Sequence, residues 1–155
     1  MQKFTSANTS LNQLPCTHKI VAQEKFSTLL DYGCGKFDTF KQHVQSLGKK
    51  YFGYDKFNRS EEENKIAMQS TPDLITCNNV LNVIESDEVV ESIVKDLASY
   101  GVKTIICVYE GNRSGEGKTT KKDCYQRNQK AVEYTPVIEK HFKSVTRKGN
   151  IFICE

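Results

Sequence analysis

From Ser27 onward the chain alternates short apolar runs with stretches of helical spacing. Thr28-Leu29-Leu30-Asp31-Tyr32 is apolar and stops at Gly33 and Gly35, as a buried parallel strand does. Phe37, Phe40, Val44 and Leu47 then recur on one helical face, and Gly48 supplies the stop. Lys50 to Tyr54 predicts a second strand ending at Asp55. Ser60-Glu61-Glu62-Glu63 spells a capping box with an acidic first turn, so a short helix is expected there. After Pro72, the run from Asp73 to Cys77 predicts the next strand. Ser86 and Asp87 open a helix that buries Val90, Ile93, Val94 and Leu97, and Gly101 closes it. Ile105, Ile106 and Val108 make 102–109 a further strand.

The flanking segments read differently. Residues 1–26 form an irregular arm with a short helix ending near Ile20. Residues 110–128 are polar and rich in Gly and Lys, a long substrate-side loop of the kind that serves as a lid. Thr135 and Pro136 take the N-cap and first turn of a helix carrying Ile138 and Phe142. Lys143 to Arg147 and Ile151 to Cys154, split by Gly149-Asn150, predict a closing β-hairpin. Strands alternating with helices imply a three-layer α/β domain over residues 1–155, with a mostly parallel sheet and one antiparallel strand from the hairpin.

Composition narrows the class. With 155 residues, 37% hydrophobic and 26% charged, the chain suits one soluble domain and excludes collagen or a disordered tail. It contains neither a membrane-length apolar run nor a signal-peptide block, so a cytoplasmic setting is expected. Net charge is +3, and the excess lies in residues 110–155, which suits an anionic partner such as nucleic acid. Cys77, Cys107 and Cys154 sit in apolar runs as small hydrophobes, and none of the six cysteines forms a CxxC pair, so no metal site is expected.

Chemistry concentrates at the predicted carboxyl ends of the strands, where such sheets bind ligands. Gly33 and Gly35 allow a ligand close to the backbone, and Asp55 is placed to accept both hydroxyls of a ribose. Asp38 fills the sixth position of the dinucleotide fingerprint and would repel a pyrophosphate, which argues against NAD. A P-loop is excluded because no GxxxxGK[ST] follows the first strand. S-adenosylmethionine (SAM) carries no phosphate, and its cationic groups suit Asp31.

These residues resemble a known family. Asp31-Tyr32-Gly33-Cys34-Gly35-Lys36 is similar to motif I of class I SAM-dependent methyltransferases, and Gly53-Tyr54-Asp55 to their acidic second-strand end. The run from Asp73 to Ile84 resembles their fourth strand and the turn after it. Asn8-Thr9-Ser10-Leu11, 78–84 and Asp123-Cys124-Tyr125-Gln126 also look like small methyltransferases of phages and bacterial DNA-modification clusters. The resemblance implies a Rossmann-like sheet and a SAM site formed by Asp31, Tyr32, Gly33, Cys34, Gly35, Asp55, Lys56, Asn78, Asn79 and Val80.

Departures from the family are specific. Phe37 replaces a third glycine, and the short interval from Asp55 to Asp73 leaves room for a sheet without the family's third strand. The fourth-strand turn lacks Asn-Pro-Pro-Tyr, and the only Pro-Cys, Pro15-Cys16, lies in the arm, so the two standard DNA-methylation chemistries are disfavoured. Glu110 and Asp123 are the candidate general bases, and Tyr125 is a candidate wall for a planar acceptor. The leading expectation is methyl transfer to a nucleic-acid component or a small molecule. The alternatives are a catalytically silent SAM-binding or protein-binding chain and a nucleic-acid-binding accessory factor.

Overall fold

The computed structural model describes residues 11–155. Residues 1–10 of the expected arm lie outside the described residues, and with them all of the Asn8-to-Leu11 segment but its last residue. In chain order the elements begin with α1 (His18–Gln23), β1 (Thr28–Tyr32), α2 (Thr39–Ser46), β2 (Lys50–Tyr54), α3 (Glu61–Gln69) and β3 (Leu74–Asn78). A 3-10 turn over Leu81–Val83 follows, then α4 (Asp87–Ser99), β4 (Lys103–Cys107), β5 (Lys118–Lys121) and β6 (Cys124–Gln126). A second 3-10 turn, Ala131–Tyr134, leads into α5 (Thr135–His141), β7 (Val145–Lys148) and β8 (Ile151–Cys154).

Six strands make one sheet in the order β2-β1-β3-β4-β8-β7. The first four run parallel, and β8 pairs antiparallel with both β4 and β7. Strand order reverses at β1, which has β2 on one side and β3 on the other. The interval after β2 holds α3 but no strand, so β2 stands at the sheet edge.

Two cores sandwich the sheet because successive residues of a strand face opposite sides. Leu29, Leu74 and Ile105 pack with Val21 of α1 and Phe40 and Val44 of α2. Their neighbours Leu30, Ile75 and Ile106 pack with Val90, Val94 and Leu97 of α4 and Ile138 of α5. These are the three layers. No helix among the described residues is long and apolar enough to cross a membrane.

Several local expectations change. The capping box at Ser60 forms, with its hydroxyl accepting from Glu63 N–H at 3.1 Å. The arm helix extends past Ile20 to Gln23 and buries Val21. Phe37 precedes α2, which starts only at Thr39. Thr135 is the first residue of α5, because the 3-10 turn before it already bends the chain. The polar stretch 110–128 contains a two-stranded hairpin, β5–β6, turned by Asp123 at φ 60°.

Candidate functional site

A cavity of about 1290 Å³ opens beyond the carboxyl ends of β1 and β3. That exceeds the roughly 300–1,000 Å³ of a pocket for one drug-sized ligand. Asp31, Tyr32, Gly33, Cys34, Gly35, Asp55, Lys56, Asn78, Asn79 and Val80 all lie on its wall. Residues from three separate segments, expected to form one site, thus lie around one cavity.

The floor is built around Gly33. Its φ of +82° is a conformation side chains resist, and a Cβ there would stand 2.3 Å from the Cγ2 of Val80. Gly33 and Cys34 both donate N–H bonds to the Tyr54 carbonyl, at 2.7 and 3.0 Å, which locks the turn to the end of β2. The Tyr32 ring lies on the α4 face of the sheet and packs on Tyr54 at 4.9 Å. The Cys34 thiol, pushed up to about 12 by burial, tucks beside Gly53 and stays neutral.

Two carboxylates stand on this floor. Asp31 is 3% exposed and accepts from Tyr51 Oη at 2.8 Å, Thr76 Oγ1 at 2.8 Å and Asn78 Nδ2 at 3.5 Å. Burial lifts its pKa to about 6, against the lowering effect of those three donors. Asp55 is arranged otherwise. Its Oδ2 accepts from Gly35 N–H at 2.8 Å, and its Oδ1 from the N–H groups of Phe57 and Asn58 at 2.9 and 3.1 Å. A carboxylate offers about four lone-pair sites. Three are taken by the backbone, so Asp55 has capacity for one further hydroxyl rather than the two expected. Within that limit the donor set fits a ribose-bearing, cationic ligand: carboxylates, exposed backbone and a wide cleft.

Arg59 completes this end, and sequence reasoning missed it. Its guanidinium donates to the carbonyls of Gly35 and Phe37 at 2.9 and 3.1 Å and to Asp38 at 2.9 Å. It therefore braces the loop after β1 from outside and answers the Asp38 charge. An arginine four residues after a strand-ending aspartate gives no local pattern, which is why it was invisible.

The other half of the cavity is made by the arm, the end of β4 and the hairpin. Thr17, fully buried, donates to Asn78 Oδ1 at 2.7 Å and latches the arm to β3. Pro15-Cys16, set aside as part of a remote arm, thereby stands on the cavity wall. The Cys16 pKa is lowered to about 6, first by the Cys107 thiol that donates to it, with Asn150 and His18 adding. Asn79 holds a φ of +56° while its N–H donates to the Cys107 carbonyl at 2.9 Å. Tyr109 lines the cavity with 58% of its surface exposed.

Tyr125 is also on the wall, as expected of it, with Gln126 beside it. Its hydroxyl lies where a Cβ on Gly117 would have to go, so that glycine makes the space for the ring. Glu110 and Asp123 are placed elsewhere. Glu110 accepts from Ala131 N–H at 2.7 Å and caps the second 3-10 turn, while Asp123 occupies the outer turn of the hairpin. Neither is a wall residue. Arg127 fixes the hairpin base by donating to the Glu85 carbonyl at 3.2 Å and to Asp87 at 2.7 Å, and its N–H donates to the Asn82 carbonyl at 2.9 Å.

No known protein-family profile matches the sequence, and no curated protein matches it. Among solved structures, the chain is similar to the sugar N-methyltransferase KedS8 from Streptoalloteichus sp. ATCC 53650. The TM-score is 0.57 at 9% identity, over 89% of this chain and 84% of that one. At that identity the likeness concerns the fold: the chain has a methyltransferase fold.

Proposed function

We propose that the chain is a SAM-dependent methyltransferase whose acceptor is a nucleic-acid component or a small molecule. One observation carries this reading. Asp31, the glycine turn, Asp55 and the Asn78–Val80 segment converge on a single cavity of about 1290 Å³.

SAM supplies a methyl group already activated by its sulfonium. Asp31 offers a buried carboxylate to cationic groups, and ionises when one arrives. Asp55 takes one ribose hydroxyl, and the Gly33 turn lets the ligand lie against the backbone. The arm and the hairpin cover the cleft from two sides, excluding water and holding the acceptor in line. A neutral nitrogen nucleophile needs no base before it attacks. That suits a wall from which Glu110 and Asp123 are absent, and it moves the expectation of a general base away from both.

The placement of those two acids also favours a second reading, a catalytically silent SAM-binding protein. Calorimetry with SAM and its demethylated product, beside Asp55→Asn, tests the donor site. Micromolar binding weakened at least tenfold in the variant is expected, and no binding of either ligand overturns the proposal. Turnover of methyl-labelled SAM then separates the enzyme from the silent protein.

A further inference from the structure

The acceptor half of the cavity has a composition the proposed function does not by itself explain. Its described polar residues are mostly carboxamides. Among the described residues, the carboxylates on the cavity wall are Asp31 and Asp55, both at the donor end. The same wall also carries two tyrosines, Tyr109 and Tyr125, and the carboxamide residues Asn82 and Gln126.

Asn82 is the informative member. It is 2% exposed, on the 3-10 turn after β3. Its Nδ2 donates to Gln126 Oε1 at 3.4 Å, and its backbone carbonyl accepts from Arg127. Its Oδ1 is buried and has no hydrogen-bond partner among the described residues, on a residue that lines this wall. A buried acceptor of this kind is costly unless a donor meets it. An amine or ring N–H of a bound ligand is such a donor, and a carboxylate or phosphate is not.

Rings recognise flat, polarisable faces, and carboxamides recognise edges that carry a donor and an acceptor together. A nucleobase has both features and no charge. Lys121, a cation on the cavity wall, stands on β5, with Lys118 on the same exposed strand. A phosphate attached to the base would meet it there.

Resting on the methyltransferase reading, we infer that the acceptor is a nucleobase carried on a phosphate, with its face against Tyr109 or Tyr125 and its polar edge read by Asn82 and Gln126. In the transfer, the lone pair of a base nitrogen forms the new N–C bond as the C–S bond breaks. The C–S electron pair goes to sulfur, which becomes a neutral thioether. The positive charge passes to the nitrogen and is discharged by loss of a proton to water.

The test is label transfer from methyl-labelled SAM by the full chain. Acceptors would be the nucleoside monophosphates, a mixed-sequence single-stranded oligonucleotide, ribose 5-phosphate and an amino sugar. Label is expected in one or more base-bearing acceptors. Transfer to both monophosphate and oligonucleotide marks a free nucleotide as sufficient, and transfer to the oligonucleotide alone marks a nucleic acid.

Tyr109→Leu, at an exposed position that does not threaten folding, should raise KM for the acceptor about tenfold with SAM affinity unchanged. Asn82→Ala should do the same, and its SAM affinity reports that the variant is folded. Label in the amino sugar or ribose phosphate and not in a base overturns the inference, as does SAM binding with no label in any base. KM indifferent to both substitutions overturns it too. Loss of SAM binding in the wild type would instead sink the underlying methyltransferase reading along with it.

Discussion

Asp31 is a buried acid held by three neutral donors and by no cation among the described residues, so its surroundings favour the protonated form. Its pKa rises from 3.8 to about 6 on folding. Between those values the native state binds more protons than the unfolded chain, so stability falls as pH rises through that window. At about 1.4 kcal/mol per unit, the loss is roughly 3 kcal/mol above pH 6. Asp31→Asn should therefore be more stable than the wild type at pH 7.5 and gain little at pH 4, as read by chemical denaturation. It should also bind SAM more weakly. In the wild type, SAM binding near pH 5.5 should release a proton, visible by calorimetry in buffers of different ionisation enthalpy. Cys16 gives a second pH signature, since a thiol lowered to about 6 is mostly thiolate at neutrality, unlike an ordinary one near 8.5. Its alkylation by iodoacetamide should rise with a midpoint near pH 6 and vanish in Cys16→Ser. At this scale, residues marked by local pattern were legible: Asp31, Gly33 and Gly35 announce themselves by spacing along one turn, and Asp55 by ending the second strand. Arg59, Thr17 and Cys16 were not, because their partners lie on other segments and only the fold supplies them. The surroundings of Glu110 depend on the fold in the same way. Its position after β4 points to the cleft, but the N–H of Ala131, 21 residues on, takes its carboxylate as a cap.

Among the elements, the hairpin β5–β6 is held unevenly. β5 is exposed along its whole length, whereas β6 packs on the 3-10 turn after β3 and continues into Arg127. The guanidinium donates to the carbonyls of Ile84 and Glu85 and to Asp87; because Asp87 is 86% exposed, that ion pair contributes only about 0–1 kcal/mol, and the carbonyl bonds carry most of the hold. Arg127→Ala should free the hairpin without unfolding the sheet. Hydrogen exchange of the amides in 118–126 is expected to speed up tenfold or more, while those of β1, β3 and β4 keep their protection. Uniform acceleration across the sheet would show instead that Arg127 holds the whole fold. Sequence reading saw a long polar loop here because Thr119, Thr120 and Tyr125 are too few, and too interrupted by Lys and Gly, to show a period of two. The strands of the main sheet were readable for the opposite reason, being short apolar runs bounded by turn residues. Their ends were less so. β4 stops at Cys107, two residues before the apolar run does, because Asn79 N–H takes the Cys107 carbonyl and Asn150 takes over pairing at Val108.

Across the whole molecule, the segment from Thr76 to Ile84 serves every part of the cleft. Thr76 and Asn78 hold the Asp31 carboxylate, Asn78 latches the arm through Thr17, Val80 seats against Gly33, and Asn82 and Ile84 receive Arg127 from the hairpin base. The fold class was visible from the strand–helix alternation, and the carboxyl ends of the strands, singled out in the sequence, are where the cavity opens. That one short stretch would anchor both coverings was not visible, since the arm and hairpin join it from opposite ends of the chain. The arrangement has an evolutionary cost. A single codon change in this stretch compounds defects in separate parts of the protein, so tolerance to substitution should be narrowest here, beyond what burial alone would impose. Compensating changes would then arise far away in the chain, around Thr17 and Arg127.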